Sequence, residues 1–148
     1  MNLKKVLSPS VVAPQLTAAT KEEAIEELLA LLVATGKIRD ADHARHAILE
    51  RERKMSTGME HGIAIPHGKT DAVKELVACV GRSRDGIDFG SLDGEPATIF
   101  IMTLSPANRT GPHIQFLAEI SRLLRDPERR ERIRTAGTAQ ELVKAFLE

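Results

Sequence analysis

Ser56-Thr57-Gly58-Met59-Glu60-His61-Gly62-Ile63-Ala64-Ile65-Pro66-His67-Gly68-Lys69 decides the reading of this chain. It encloses a short apolar run, Ile63 to Ile65, between glycines and closes it with a proline followed at once by a histidine. Small and β-favouring residues bounded by Gly62 and by Pro66-His67-Gly68 predict a short buried strand that ends in a tight turn. His67 is thereby placed at a strand's end, rigidly held yet within reach of solvent. Pro66 cannot extend a ladder, and Gly68 lets the chain fold back closely. An imidazole with an ordinary pKa of about 6.5 is largely unprotonated near neutral pH and can carry a covalent intermediate. Read from the residues alone, His67 is either such a nucleophile or a polar loop residue.

On the N-terminal side, Thr20-Lys21-Glu22-Glu23 is a capping box that predicts a helix to about Ala34, ended by Gly36. A second helix is expected from Asp40 to about Glu52, with Ala44, Ala47, Ile48 and Leu49 facing inward. Residues 1–15 read as an extended lead-in with a strand near Val11. On the C-terminal side, the near-continuous apolar run Leu76 to Gly81 predicts a strand covered on both faces. Asp85-Gly86 and Asp93-Gly94 read as turns, with Ile87 and Phe89 alternating in a short strand between them. Ala97 to Leu104 is the strongest strand and is expected at the centre of the sheet. Ser105 to Gly111 reads as a polar loop; Pro112 then opens a helix that carries His113 in its first turn and Ile114, Leu117, Ala118, Ile120, Leu123 and Leu124 at helical spacing. Asp126-Pro127 opens a further helix, and Thr138 to Glu141 caps the last one. The whole predicts an α/β fold, a single three-layer domain with a mixed β-sheet flanked by helices.

Composition narrows the function classes. Among 148 residues, Lys plus Arg and Asp plus Glu number 21 each, so no net field draws the chain to nucleic acid or anionic membrane. The apolar runs fall short of a membrane span and the N-terminus has no signal-peptide core, which predicts a cytoplasmic protein. The single cysteine, Cys79, fits a reducing compartment. His43 and His46 sit three apart on the second helix, and with His61, His67 and His113 they raise the idea of zinc. Paired cysteines and a His-Glu-x-x-His pattern are absent from the sequence, so surface positions are expected for His43 and His46 and no metal is assigned. Arg129, Arg130, Arg132 and Arg134 alternate with Glu128 and Glu131 and read as a solvated helix face.

Ser56-Thr57-Gly58 and Gly62-Ile63-Ala64-Ile65-Pro66-His67-Gly68-Lys69 together resemble the phosphorylation-site signature of the enzyme IIA domains of the bacterial sugar phosphotransferase system, fructose/mannitol class, which includes the nitrogen-regulatory branch. The resemblance runs from about Leu16 to the C-terminus in length, order of elements and punctuating residues. It implies one enzyme IIA type-2 phosphocarrier domain over residues 1–148. It also implies that His67 is the phosphohistidine, charged by the histidine phosphocarrier protein and discharged to a histidine or cysteine of a transporter's IIB domain. His113, in Thr110-Gly111-Pro112-His113-Ile114, matches a second histidine that opens a later helix. Arg51, in Glu50-Arg51-Glu52-Arg53, matches an arginine ending the helix before the motif, with Arg53 as the neighbouring alternative. From the residues alone, Arg51 equally reads as a C-terminal arginine complementing its helix dipole. His61 departs from the family pattern, where a small or amide residue is more usual, and is expected to alter the electrostatics of the site.

With these assignments, helix amides near His113, its ring N–H and the Arg51 guanidinium would meet a phosphoryl group on His67. The chain has no Walker loop, so another phosphoprotein is the expected donor and no cofactor is expected. A carrier that meets two partners in turn calls for a shallow, partly apolar rim, for which Met55, Met59 and Ile65 are candidates. Three readings compete: a phosphocarrier feeding a fructose-like IIB domain; a nitrogen-regulatory-type binding module whose phosphorylation state controls target proteins; and a metal-dependent hydrolase using the five histidines.

Overall fold

The structure is a computed structural model, and residues 2–148 are described; Met1, the first residue of the segment read as a lead-in, lies outside the described residues. The sheet comprises β1 (Val12–Ala13), β2 (Ile63–Ala64), β3 (His67–Lys69), β4 (Val77–Ile87) and β5 (Ala97–Ser105). Its order is β1-β4-β5-β2, with β3 also paired to β5. β4 and β5 are antiparallel, whereas β1 on β4 and β2 and β3 on β5 are parallel, so the sheet is mixed. The helices are α1 (Lys21–Val33), α2 (Ala41–Lys54), α3 (Thr110–Leu123), α4 (Pro127–Thr135) and α5 (Ala139–Leu147).

Alternation along the strands divides the core into two halves, because successive side chains leave a strand on opposite faces. Cys79, Phe100, Met102 and Leu104 pack with Leu28, Leu29 and Leu32 of α1 and with Ala44 and Ile48 of α2. Ala78, Val80, Ile99 and Ile101 pack with Phe116 and Ile120 of α3, Ile133 of α4 and Phe146 of α5. This is the expected three-layer α/β arrangement. Each fully buried Leu, Ile or Phe contributes about 1.5–3 kcal/mol of transfer free energy, so both helical layers are held mainly by the sheet.

Local signals set most helix starts. Thr20 Oγ1 accepts from the Glu23 N–H at 3.2 Å while the Glu23 carboxylate accepts from the Thr20 N–H at 3.1 Å, completing the predicted capping box. At α5, Thr138 Oγ1 accepts from the Glu141 N–H, but the Glu141 carboxylate turns to the Gly137 N–H instead of closing the box on Thr138.

Four expectations are corrected. Asp85-Gly86 does not reverse the chain: β4 continues to Ile87 through a register shift between Arg82 and Ile87, with Gly86 at φ +81°. Across the shift β4 takes five steps, Arg82 to Ile87, against two on β5, Ala97 to Ile99, so the strand bulges outward and then regains its partner. Ser105 is the last residue of β5 and fully buried, not the start of a loop, and α3 begins at Thr110, ahead of Pro112. The lead-in is built into the fold, since Leu3, Leu7, Val11 and Val12 are buried. Finally, the strand before His67 does not end there. Ile63 lies opposite Ile99 and His67 opposite Thr103, so β2 and β3 keep one register across Pro66, whose carbonyl accepts the Thr103 N–H at 3.1 Å. Proline interrupts the ladder without turning the chain: its carbonyl still points to β5, but it has no N–H to donate on that side.

β3 also lies unusually close to α2. A Cβ on Gly68 would stand 3.1 Å from the Ala47 carbonyl carbon and 3.2 Å from its oxygen. Helix backbone yields little, so Gly68→Ala is expected to lower unfolding free energy by about 1–3 kcal/mol through overpacking, measured by urea denaturation. An unchanged midpoint would show that α2 shifts freely.

Candidate phosphoryl-transfer site

At the end of the sheet where β3 and β5 finish, the rings of His67 and His113 meet with centroids 5.5 Å apart and planes tilted by 53°. β3 supplies the first and the opening turns of α3 the second. His113 shares the inward stripe of α3 with Phe116 and Ile120, which buries its ring against the sheet. That stripe was visible in the spacing of His113 and Phe116, three residues apart.

Hydrogen bonds fix how each ring presents itself. His67 Nδ1 lies 2.8 Å from the Ile65 carbonyl oxygen, which can only accept; Nδ1 therefore carries the proton and Nε2 keeps its lone pair. His113 Nδ1 lies 2.9 Å from Ser105 Oγ. Among the described residues, Nε2 of each ring has no hydrogen-bond partner within the chain. The His67 pKa is held below its ordinary value, by burial first and then by the nearby Arg51 charge, against the opposing effects of the Ile65 bond and Glu52. Burial, His67 and Lys69 push His113 down to about 4. Both rings are thus neutral near pH 7, and His67 Nε2 is available as a nucleophile.

Arg51 and not Arg53 stands at the site. Arg51 donates to the Met55 carbonyl at 2.7 Å, closing the end of α2, while its charge acts on His67. One side chain thus closes its helix end and places its charge near His67. Arg53 is solvent-exposed and paired with Glu50 at 2.7 Å.

Sequence reasoning missed the support. Glu52 is buried; its carboxylate accepts from the Thr57 N–H and hydroxyl, both at 2.7 Å, and pairs with Lys21 Nζ at 2.9 Å. Thr57 in turn accepts the Ile65 N–H at 3.1 Å, next to the carbonyl that holds the His67 ring. The Ser-Thr-Gly segment is therefore a clamp on the strand that carries His67. Lys69 Nζ donates to Thr110 Oγ1 at 2.7 Å and ties β3 to the first turn of α3. A charged residue on an otherwise inward helix position, as Glu52 is, was the available signal.

Three other expectations need correction. His61 does not reach the site: it sits at the opposite end of β2, in a left-handed conformation with φ 64°, its N–H donating to Asp93 and its ring beside Glu60. Ile65 is core, 4% exposed, and cannot form a rim. Met55, whose carbonyl accepts from Arg51, and Ile114, next to His113 in the chain, are 67% and 59% exposed, although Ile114 keeps helical spacing with the inner residues of α3. Met59 is exposed too, but flanks a groove of about 430 Å³ that also reaches Leu124 and Arg125, near the far end of α3. His46 is exposed as expected, and the exposed His43 bonds the Thr70 hydroxyl. Among the described residues no three His, Cys, Asp or Glu side chains converge on a common point.

Residues 5–148 match the protein family described as "Phosphoenolpyruvate-dependent sugar phosphotransferase system, EIIA 2". The chain belongs to this enzyme IIA family. It is 45% identical over 122 residues to the fructose-specific EIIA component of Haloferax volcanii, covering 82% of this chain and 79% of that one. The nitrogen regulatory protein IIA-Ntr of Neisseria meningitidis superposes with a TM-score of 0.90 at 26% identity, over 97% of this chain and 98% of that one. The mannitol enzyme IIA of Escherichia coli, solved in complex with phosphorylated mannitol enzyme IIB, superposes at 0.82 with 26% identity, over 95% and 96% of the two chains. Both the sugar-specific and the nitrogen-regulatory branches of the enzyme IIA family are therefore represented among its relatives. Among the described residues no helix is long and apolar enough to cross a membrane.

The depressed histidine pKa values carry a sign. On acidification the unfolded chain binds protons at its histidines first, near pH 6.5, while His113 in the folded state resists until about 4. Stability contributed by the neutral ring is therefore complete above about pH 6.5 and lost progressively as pH falls towards about 4. In His113→Gln, urea unfolding followed across this window is expected to show a shallower decline than in the parent; equal slopes would contradict the assigned protonation.

Proposed function

We propose that this chain is a cytoplasmic phosphocarrier: a single IIA domain that accepts a phosphoryl group from the histidine phosphocarrier protein on His67 Nε2 and passes it to the IIB domain of a fructose-like sugar transporter. The observation that carries the proposal is the free, unprotonated Nε2 of His67 beside the ring of His113, in a member of the enzyme IIA family. The Nε2 lone pair attacks phosphorus while the bond to the donor's imidazole nitrogen breaks and its electron pair returns to that ring. Onward transfer repeats the step with His67 as leaving group. Such transfer asks little covalent chemistry of the protein beyond the nucleophile; position and charge stabilisation do the remainder. Arg51 supplies a fixed cation for the phosphoryl oxygens, and His113 supplies a ring N–H. Met55 and Ile114 give the partner proteins an apolar border to close over.

A second reading is favoured by the close superposition on IIA-Ntr: a regulatory module whose phosphoryl charge, about −2 near neutral pH, switches its binding to target proteins without onward transfer. Intact-mass spectrometry after incubation with phosphoenolpyruvate, enzyme I and histidine phosphocarrier protein separates the outcomes. One acid-labile phosphoryl adduct, absent in His67→Ala, is expected, and it is expected to disappear on adding a IIB domain. An adduct that survives every IIB domain supports the regulatory reading, and an adduct retained by His67→Ala overturns both.

A further inference from the structure

Ser105 is fully buried at the end of β5, and its hydroxyl lies 2.9 Å from Nδ1 of His113. A serine hydroxyl beside an imidazole nitrogen can act either way: it donates to a bare nitrogen or accepts from a protonated one. Here the surroundings decide. If Nδ1 carried the proton, the Ser105 hydroxyl hydrogen would need another acceptor. Among the described residues the hydroxyl has no hydrogen-bond partner except His113 Nδ1. A buried hydroxyl hydrogen left without an acceptor bears the full cost of desolvation. Donation from Ser105 to Nδ1 satisfies both groups.

We propose that Ser105 is a positioning residue: its hydroxyl donates to Nδ1 of His113 and holds that ring as the neutral Nε2–H tautomer, so that a phosphoryl group on His67 meets a neutral donor. The proposal rests on the phosphocarrier reading for its role in transfer, but not for the tautomer itself. The two rings are then set oppositely by their partners. An acceptor, the Ile65 carbonyl, leaves His67 Nε2 bare; a donor, the Ser105 hydroxyl, leaves His113 Nε2 protonated. The same hydrogen bond opposes a cationic His113, because protonating Nδ1 would strip the Ser105 hydrogen of its acceptor. His67 and Lys69, both on β3, oppose that cation as well, in keeping with a pKa of about 4. A neutral donor orients the phosphoryl oxygens without locking the group in an ion pair, which leaves it free to move on to the next partner.

Long-range proton–nitrogen correlation spectra of the full chain with labelled histidine, without any phosphoryl donor, test the assignment directly. For His113 they should show a bare Nδ1 and a protonated Nε2. In Ser105→Ala the tautomers should mix and the His113 titration midpoint should rise by about one pH unit, the equivalent of one hydrogen bond. Ser105→Thr, which keeps the hydroxyl, should restore the parent pattern, and Ser105→Ala should slow phosphoryl transfer about tenfold with the His67 tautomer unchanged. A protonated Nδ1 on His113 in the parent chain overturns the proposal whatever the protein's function. So does a Ser105→Ala spectrum and titration identical to the parent's. The predicted tautomer in a chain that accepts no phosphoryl group would instead overturn the phosphocarrier reading alone.

Discussion

The hydrogen bond from His67 Nδ1 to the Ile65 carbonyl is the constraint on which the site depends, since it determines which nitrogen is free to react. It links residues two apart across a proline. Pro66 has no N–H, so the chain there is held by its carbonyl bond to Thr103 on one side and by the Ile65 N–H to Thr57 on the other. Thr57 is fixed in turn by the buried Glu52, and Glu52 by Lys21 at the start of α1. The orientation of one imidazole is therefore traceable through backbone and side-chain bonds to the packing of two helices on the sheet.

Charge explains the rest of the arrangement. A nucleophilic imidazole must be unprotonated, and burial together with the Arg51 charge keeps His67 so. In the proposed carrier, attachment of a phosphoryl group would change the same Arg51 from a neighbour that disfavours a cationic ring to a partner for anionic oxygens. On the proposed function, one fixed cation would favour both the reactive state before transfer and the charged state after it. His113, buried against β5 and uncharged, would add a directed donor without adding a second full charge.

Much of this was legible in local sequence patterns. The capping box at Thr20, the apolar run 97–104 and the Ile-Pro-His-Gly signature each express their physics within a few residues, and the resemblance to enzyme IIA domains rested on that signature. What escaped was decided by residues distant in sequence. Gly86 looked like a turn because Asp-Gly favours one, yet pairing with β5 carried the strand through it as a bulge. Ser105 looked like loop because it is polar, and only the fold brings His113 to its hydroxyl. Ile114 kept helical spacing, but the inner face of α3 is set by His113, Phe116 and Ile120, which turns Ile114 outward. His61 lies near His67 in sequence, but the extended strand between them carries the two to opposite ends of the sheet edge.

The central claim is that the reacting atom is Nε2 of His67. The direct measurement is phosphorus–nitrogen coupling in the phosphorylated, histidine-labelled protein. The account predicts that the phosphorus couples to Nε2 of His67, with Nδ1 still protonated and bonded to the Ile65 carbonyl. Coupling to Nδ1 of His67, or to a nitrogen of any other histidine, would contradict it.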